Sequence, residues 1–334
     1  MDSTLTTFTV AESHYLAFGA RSPLEICADL DLAVQIDLRH HFSGPLCAAY
    51  WIDLCRCREY GHYRLVGAIE HALPTLLAII RDRLTLHSRL DIVSLGPGDG
   101  EVDIRVLDEL RTGLDVASYR CVDFSLEMLE HVLRRLKNSR TVEGLPLKVV
   151  CADFRGLDRS AVLGDNMSLL LLTGYTIGNN DEARLLGDIA KWMRPGDLLL
   201  IDGRLRGDGL SGETTMPEGL AQLVRCYDND ASNRFAFGPV EMVTTASCRD
   251  VTFDHRVERR VTTVPGAVNI IVRCTGLQAR MRLTGALVAR EHLDLASTTA
   301  YDFEALRRWL AESGLHLLFA CRHEDTGVFV LQRA

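Results

Sequence analysis

Asp91-Ile92-Val93-Ser94-Leu95-Gly96-Pro97-Gly98-Asp99-Gly100 is the stretch from which the fold can be read. A short apolar run with β-branched residues stops at a cluster of alternating glycines. Val102, Ile104, Val106, Leu107 and Leu110 then recur at helical spacing. The order is strand, glycine loop, helix. Working outward, Tyr119-Arg120-Cys121-Val122-Asp123 reads as a second strand, after which Ser125 can cap a helix carrying Leu126, Met128, Leu129, Val132, Leu133 and Leu136. Leu147 to Cys151 and Met167 to Leu172 repeat the strand signal. A helix over about Asp181 to Met193 is stopped by Pro195-Gly196, and Leu198 to Ile201 supplies a fifth strand. Alternating strands and helices over this length predict an α/β fold with a parallel sheet covered on both faces.

Ligands bind such a sheet at the carboxyl ends of its strands. Gly96, Gly98 and Gly100 allow backbone to approach a ligand, Asp123 ends the second strand, and Asp153-Phe154 follows the third. A carboxylate at position 123 can accept hydrogen bonds from both hydroxyls of a ribose, and Asp153-Phe154 suits an adenine amino group and ring face. A dinucleotide would ask for G-x-G-x-x-G. Here the glycines alternate, and Asp99 and Glu101 stand where a pyrophosphate would lie. A cationic sulfonium meets no such repulsion, so S-adenosylmethionine is the expected cofactor.

The whole chain is consistent with this. Its 334 residues allow about two domains. With 37 Lys+Arg against 45 Asp+Glu, the net charge of -8 gives a polyanion no general attraction, so nucleic acid is not an expected partner. No continuous apolar run reaches membrane-span length. Ten scattered cysteines, behind a polar opening Met1 to Thr9, are expected to be reduced thiols in a cytoplasm. Cys55 and Cys57 have no matching ligand pair, and His40, His41 and His62 lack carboxylate spacing, so packing or solvated histidines are expected and no metal site.

Leu95-Gly96-Pro97-Gly98, Val122-Asp123-Phe124-Ser125, Ala152-Asp153-Phe154, Gly174-Tyr175-Thr176-Ile177-Gly178-Asn179 and Arg194-Pro195-Gly196-Asp197 occur in an order that resembles the histidine-specific S-adenosylmethionine-dependent methyltransferase family. That family is typified by the histidine Nα-methyltransferase of ergothioneine biosynthesis. The T-I-G-N segment is the most specific piece, and the likeness is good over about Leu90 to Asp230. The resemblance implies a Rossmann-like class I methyltransferase sheet with a discontinuous second α+β domain. Residues 89–205 and 297–334 would form the methyltransferase domain, and 1–88 with the insertion 206–296 the substrate domain and lid.

Position by position, the resemblance places Gly96 and Gly98 on the methionine part of the cofactor. Asp123 would hold the ribose, with Phe124 and Ser125 beside it, and Asp153 with Phe154 would meet the adenine. Gly174 would meet both cofactor and acceptor, Tyr175 and Asn179 would meet the acceptor, Asn179 at its α-amino group, and Tyr227 in Cys226-Tyr227-Asp228 would reach its carboxylate. A tyrosine on a surface helix is the plainer alternative for Tyr227. Asn179 and Tyr227 are the expected catalytic pair, orienting a neutral amine with no obligatory base.

Departures from the family pattern matter as much. Val102 stands where the family has lysine. The region Glu59-Tyr60-Gly61-His62-Tyr63-Arg64 lacks the proline and threonine of the family's Y-Y-P-T-R stretch, leaving Tyr60 for the acceptor and Tyr63 for the cofactor. The family's E-x-S segment, which reads the histidine side chain, falls on Leu295-Ala296-Ser297; only Ser297 is kept, with Asp294 the nearest acid. The expectation is N-methylation of an amino acid or related small amine other than free histidine, yielding S-adenosylhomocysteine. O- or C-methylation of a natural-product intermediate and a catalytically silent binding protein remain open. Within the insertion, Val251 to Val257, Val268 to Val272 and Met281 to Ala286 alternate like an antiparallel meander.

Overall fold

The computed structural model describes residues 26–27, 30, 35–84, 89–154, 157, 162–207, 218–259 and 262–334. The opening Met1 to Thr9 lies outside the described residues. The strands are β1 (Leu90–Leu95), β2 (Val116–Asp123), β3 (Leu147–Cys151), β4 (Met167–Leu172), β5 (Leu198–Arg204), β6 (Thr252–Arg259), β7 (Val268–Arg280), β8 (Leu287–Ala300), β9 (His316–His323) and β10 (Thr326–Gln332). The helices are α1 (Gly44–Arg56), α2 (His62–Arg83), α3 (Glu101–Arg111), α4 (Leu126–Ser139), α5 (Glu182–Trp192), α6 (Glu218–Tyr227), α7 (Asp230–Val243) and α8 (Phe303–Ala311).

Seven strands form one sheet in the order β3-β2-β1-β4-β5-β10-β9, parallel except that β10 runs antiparallel to β5 and β9. The continuous apolar runs of β1, β4 and β5 follow from burial on both faces. Leu90, Ile92, Leu169, Leu171, Leu198 and Leu200 pack against α2, α3 and α4. Their neighbours Val93, Leu95, Leu170, Leu172, Leu199 and Ile201 pack against α5 and α8 on the other face. α2, 22 residues long, is apolar and long enough to cross a bilayer, but Leu65, Ile69, Leu76 and Ile80 bury its inner face in this core.

A second, antiparallel sheet has the order β6-β7-β8. Its core side packs on α7 through Phe237 and Val240, and Ile26, Leu30 and Ile36 from the start of the chain join the same cluster. The meander differs from expectation in its third strand. Met281 to Ala286 is the connecting turn, closed by the Met281 amide on the Ala286 carbonyl at 2.8 Å, and the strand begins at Leu287. Alternation carries through this turn because Met281 is buried while Leu283 points into solvent. β8 then pairs with β7 as far as Ala300, with one register shift at Val272/Arg273, so the expected domain boundary at 297 falls inside a strand.

Candidate active site

Strand order reverses between β1 and β4, and the crevice outside their carboxyl ends is where an open α/β sheet takes a ligand. The loop after β1 turns sharply through Gly96 and Gly98, with φ of 71° and 58°, in the left-handed region that side chains disfavour. The carboxylate of Asp123, at the end of β2, accepts the Ser125 amide at 2.8 Å. Burial pushes this carboxyl up to about 7, although the amides of Ser125 and Phe124 favour its charge.

A cavity of about 850 Å³, open mouth included, lies over these strand ends. Gly96, Gly98, Asp123, Phe124, Asp153, Phe154, Gly174 and Asn179 all line it. Its roof comes from a segment far away in sequence: Asp37 caps a 3-10 helix, Leu38–Phe42, that brings Leu38, Arg39 and Phe42 over the opening. Arg39 pairs with Asp37 and lies 3.9 Å from Asp153.

A second cavity adjoins the first and is lined by Tyr60, Tyr175, Asn179, Tyr227 and Ser297 together with Phe235, Ile270, Val272 and Ala296. The two share Leu38, Phe42, Trp51 and Asn179. Asn179 ends the 3-10 turn Thr176–Asn179, which is pinned from below. Asp202 on β5 accepts the amides of Gly174 and Tyr175, both at 2.8 Å. That grip lets Tyr175 hold a left-handed backbone with φ of 59°. Gly178 makes the turn fit: a Cβ there would stand 2.7 Å from the Thr299 carbonyl on β8.

Behind the second cavity stands Arg204, the last residue of β5 and fully buried. Its guanidinium lies 4.2 Å from the ring centre of Tyr175, 5.2 Å from that of Tyr60 and 5.6 Å from that of Tyr227. Burial raises all three phenols, against the opposing pull of Arg204, so at neutral pH they are hydroxyl donors and not bases.

Several expected residues stand elsewhere. Tyr63 is a correction: it is 56% exposed on the first turn of α2, with the Arg64 guanidinium over its ring, and lines neither cavity. α2 starts at His62, so Tyr60 lies in the turn before it, buried against Trp51 and Tyr227. Ser125 is also off the cavity wall, its hydroxyl accepting the Met128 amide as the cap of α4. Asp99 and Glu101 do not face the cofactor side either, because both pair with Arg135. Leu295 points into the core shared with α7, and Asp294 is engaged by Arg273. Ser297 does reach the cavity, accepting a hydrogen bond from the Gln35 amide at 2.8 Å.

His40 and His41 are buried packing residues; burial lowers His41 to about 4, against its hydrogen bonds to the Ala236 and Leu38 carbonyls. His62 bonds Asp99 at 3.1 Å, and Cys55 lies close enough to make a three-ligand cluster. A cation there would share Asp99 with the Arg135 guanidinium, 2.7 Å away.

Over residues 49–237 the sequence matches the family described as histidine-specific, SAM-dependent methyltransferases. The chain belongs to that family. Its cofactor is therefore S-adenosylmethionine, and the seven-stranded sheet is the class I methyltransferase sheet, as expected. Solved structures of similar fold include an S-adenosylmethionine-dependent methyltransferase from Clostridium acetobutylicum ATCC 824, 13% identical, covering 78% of this chain and 89% of that one with a TM-score of 0.42. Another is the PH0226 protein from Pyrococcus horikoshii OT3, 12% identical, covering 82% and 92% with a TM-score of 0.43. A search of curated proteins found no match.

The residues present fit this cofactor. The Trp51 indole N–H is buried without a hydrogen-bond partner among the described residues. A Cβ built on Gly98 would stand 3.7 Å from it, so an acceptor group lying in the glycine loop could satisfy that donor. The buried Asp123 carboxylate likewise suits a hydroxylated ligand.

Two wall residues, Trp51 and Phe42, and two residues standing behind the walls, Arg204 and Asp202, were given no role from sequence. The density of aromatic and histidine residues between His40 and Tyr63 was a signal for the first two. An arginine closing the apolar run Leu198 to Ile201 was the signal for Arg204.

Proposed function

We propose that this methyltransferase N-methylates an amino acid or related small-molecule amine, with free histidine not its preferred acceptor. The single observation that carries this reading is the wall shared by the two cavities, with Asn179 at the junction and Tyr60 and Tyr227 on the acceptor side. When bound, the cofactor supplies a methyl group already activated on a sulfonium. The work left to the chain is to hold a nucleophile in line, which supplies about 7–11 kcal/mol in favourable intramolecular cases.

In this reading Asp123 takes the ribose hydroxyls, Phe154 and Asp153 meet the adenine, and Gly96 and Gly98 make room for the methionine part. The Asn179 side-chain oxygen accepts an N–H of the acceptor amine and so aims its lone pair at the first cavity. The Tyr60 and Tyr227 hydroxyls donate to the acceptor's carboxylate. The amine's proton leaves to water, and no base is required. The roof residues Leu38 and Phe42, with the insertion, exclude water from the junction, and the 1–88 segment and the insertion act together as one substrate domain. The ten free thiols support a reducing compartment, the cytoplasm.

The test uses purified protein, methyl-13C-labelled S-adenosylmethionine and a panel of amino acids and amines, read by mass shift and by the carbon chemical shift of the new methyl. The expected product carries the label on nitrogen. Label on oxygen or carbon overturns N-methylation, and cofactor binding without turnover of any acceptor overturns the enzymatic reading.

A further inference from the structure

We infer that the acceptor is an α-amino acid with an uncharged, apolar side chain, its carboxylate directed at the tyrosine wall backed by Arg204; this rests on the proposed N-methylation of an amino acid. Two parts of the second cavity's lining carry the inference. One part is Phe42, Phe235, Ile270, Val272 and Ala296, with Ser232, Ser297 and Thr298 as its neutral polar groups, Thr298 being hydrogen-bonded to the Tyr227 hydroxyl. Sheet pairing explains this wall: Ile270 faces Thr298 and Val272 faces Ala296 across β7 and β8, which puts these pairs on one sheet surface. No Asp, Glu, Lys, Arg or His side chain lines this cavity among the described residues. The acids that come nearest in sequence are committed elsewhere, since Asp294 pairs with Arg273 on the opposite side of β8. A charged side chain on the acceptor would enter this end with nothing to pair it, and burying an unpaired charge is strongly disfavoured.

The part formed by the tyrosines is of different character. Arg204 brings a full positive charge into the interior without a carboxylate of its own. Asp325 lies 3.3 Å from it but 3.0 Å from Arg64, so one carboxylate serves two guanidinium groups. Asp202 has both oxygens on the Gly174 and Tyr175 amides. The Arg204 Nε has no hydrogen-bond partner among the described residues. The cation therefore presents itself through the faces of Tyr60, Tyr175 and Tyr227, and such a cation makes a phenol hydroxyl a better donor to an anion. An acceptor that satisfies both walls is anionic at one end and apolar at the other. Its amine lies beside Asn179, where the two cavities meet.

The experiment compares kcat/KM for phenylalanine, tryptophan, leucine and methionine with that for histidine, lysine and glutamate, and for 2-phenylethylamine, which lacks only the carboxylate of phenylalanine. The expected result is at least a roughly tenfold preference for the best apolar amino acid over every charged or imidazole-bearing one. A similar loss is expected for 2-phenylethylamine. Ala296→Glu, which puts a carboxylate into the apolar end, is expected to lower turnover of the apolar acceptor by about tenfold or more. S-adenosylhomocysteine binding by this variant serves as the check that it folds. Histidine, lysine or glutamate as the best substrate overturns the apolar wall and leaves amino-acid N-methylation standing. 2-Phenylethylamine turned over as well as phenylalanine overturns the carboxylate assignment. Failure of every amino acid, with cofactor binding intact, overturns this inference together with the reading beneath it.

Discussion

Asp123→Ala weakens S-adenosylhomocysteine binding by about a hundredfold, measured by calorimetry at pH 8. The proposed ribose role asks one carboxylate to accept two hydroxyl hydrogen bonds. A hydrogen bond to a charged group contributes about 1.5–3 kcal/mol, so losing two is worth about 3 kcal/mol or somewhat more. The same carboxyl makes binding pH-dependent. In the free protein burial raises it to about 7, and only the ionised form accepts both hydroxyl hydrogens. Affinity is therefore expected to fall as pH drops through about 7, and Asp123→Asn should flatten that profile.

The stability linkage has the matching sign. A carboxyl raised above its unfolded value contributes stability that is present at low pH and lost as pH rises through the folded value, about 7 here. A ligand that prefers the ionised form offsets this loss. The rise in Tm produced by S-adenosylhomocysteine should thus be larger at pH 8 than at pH 6. Equal shifts at both pH values, or normal affinity in Asp123→Ala, would sink the ribose assignment.

Asn179→Ala should separate binding from chemistry. Asn179 lies on the wall common to both cavities, at the end of a turn held by Asp202. If its side-chain oxygen aims the amine, removing it leaves the nucleophile free to drift. Displacements of about 1 Å can cost about a hundredfold in rate. The expected result is a kcat about a hundredfold lower, with S-adenosylhomocysteine affinity changed much less. Loss of cofactor binding in proportion to kcat would instead make Asn179 a cofactor ligand with no separate role toward the amine.

The sheet was legible because its physics is local. β1, β4 and β5 are buried on both faces and so read as unbroken apolar runs, and the glycines that follow β1 mark a sharp strand-to-helix turn. Asp123 drew attention because it ends β2, and Asp153, Phe154 and Gly174 because they come two or three residues after β3 and β4, whereas Asn179 was reached only through the family's T-I-G-N pattern. What escaped was contributed over long range. Leu38 and Phe42 reach the cavities from a segment some fifty residues before the glycine loop, and nothing in their own pattern points at β1.

Tyr60 and Tyr63 are three residues apart. Only the start of α2, fixed by the left-handed turn at Gly61, decides which of them is buried. Ser297 and Leu295 sit two apart on β8, where pleating would put them on one face. The register shift opposite Val272 and Arg273 falls at Leu295 and breaks that alternation, so Leu295 joins the core while Ser297 lines the cavity. Arg204 was hidden by the usual rule that arginines are exposed, which fails where three tyrosine faces enclose the cation.

A crystal structure with S-adenosylhomocysteine and the best acceptor from the amino-acid panel tests the central claim most directly. The account predicts cofactor over Gly96, Gly98 and Asp123, and the acceptor amine beside Asn179 in line with the cofactor sulfur, with its carboxylate toward Tyr60 and Tyr227. An acceptor bound with its amine at the Ile270, Val272 and Ala296 end, away from Asn179, would contradict it.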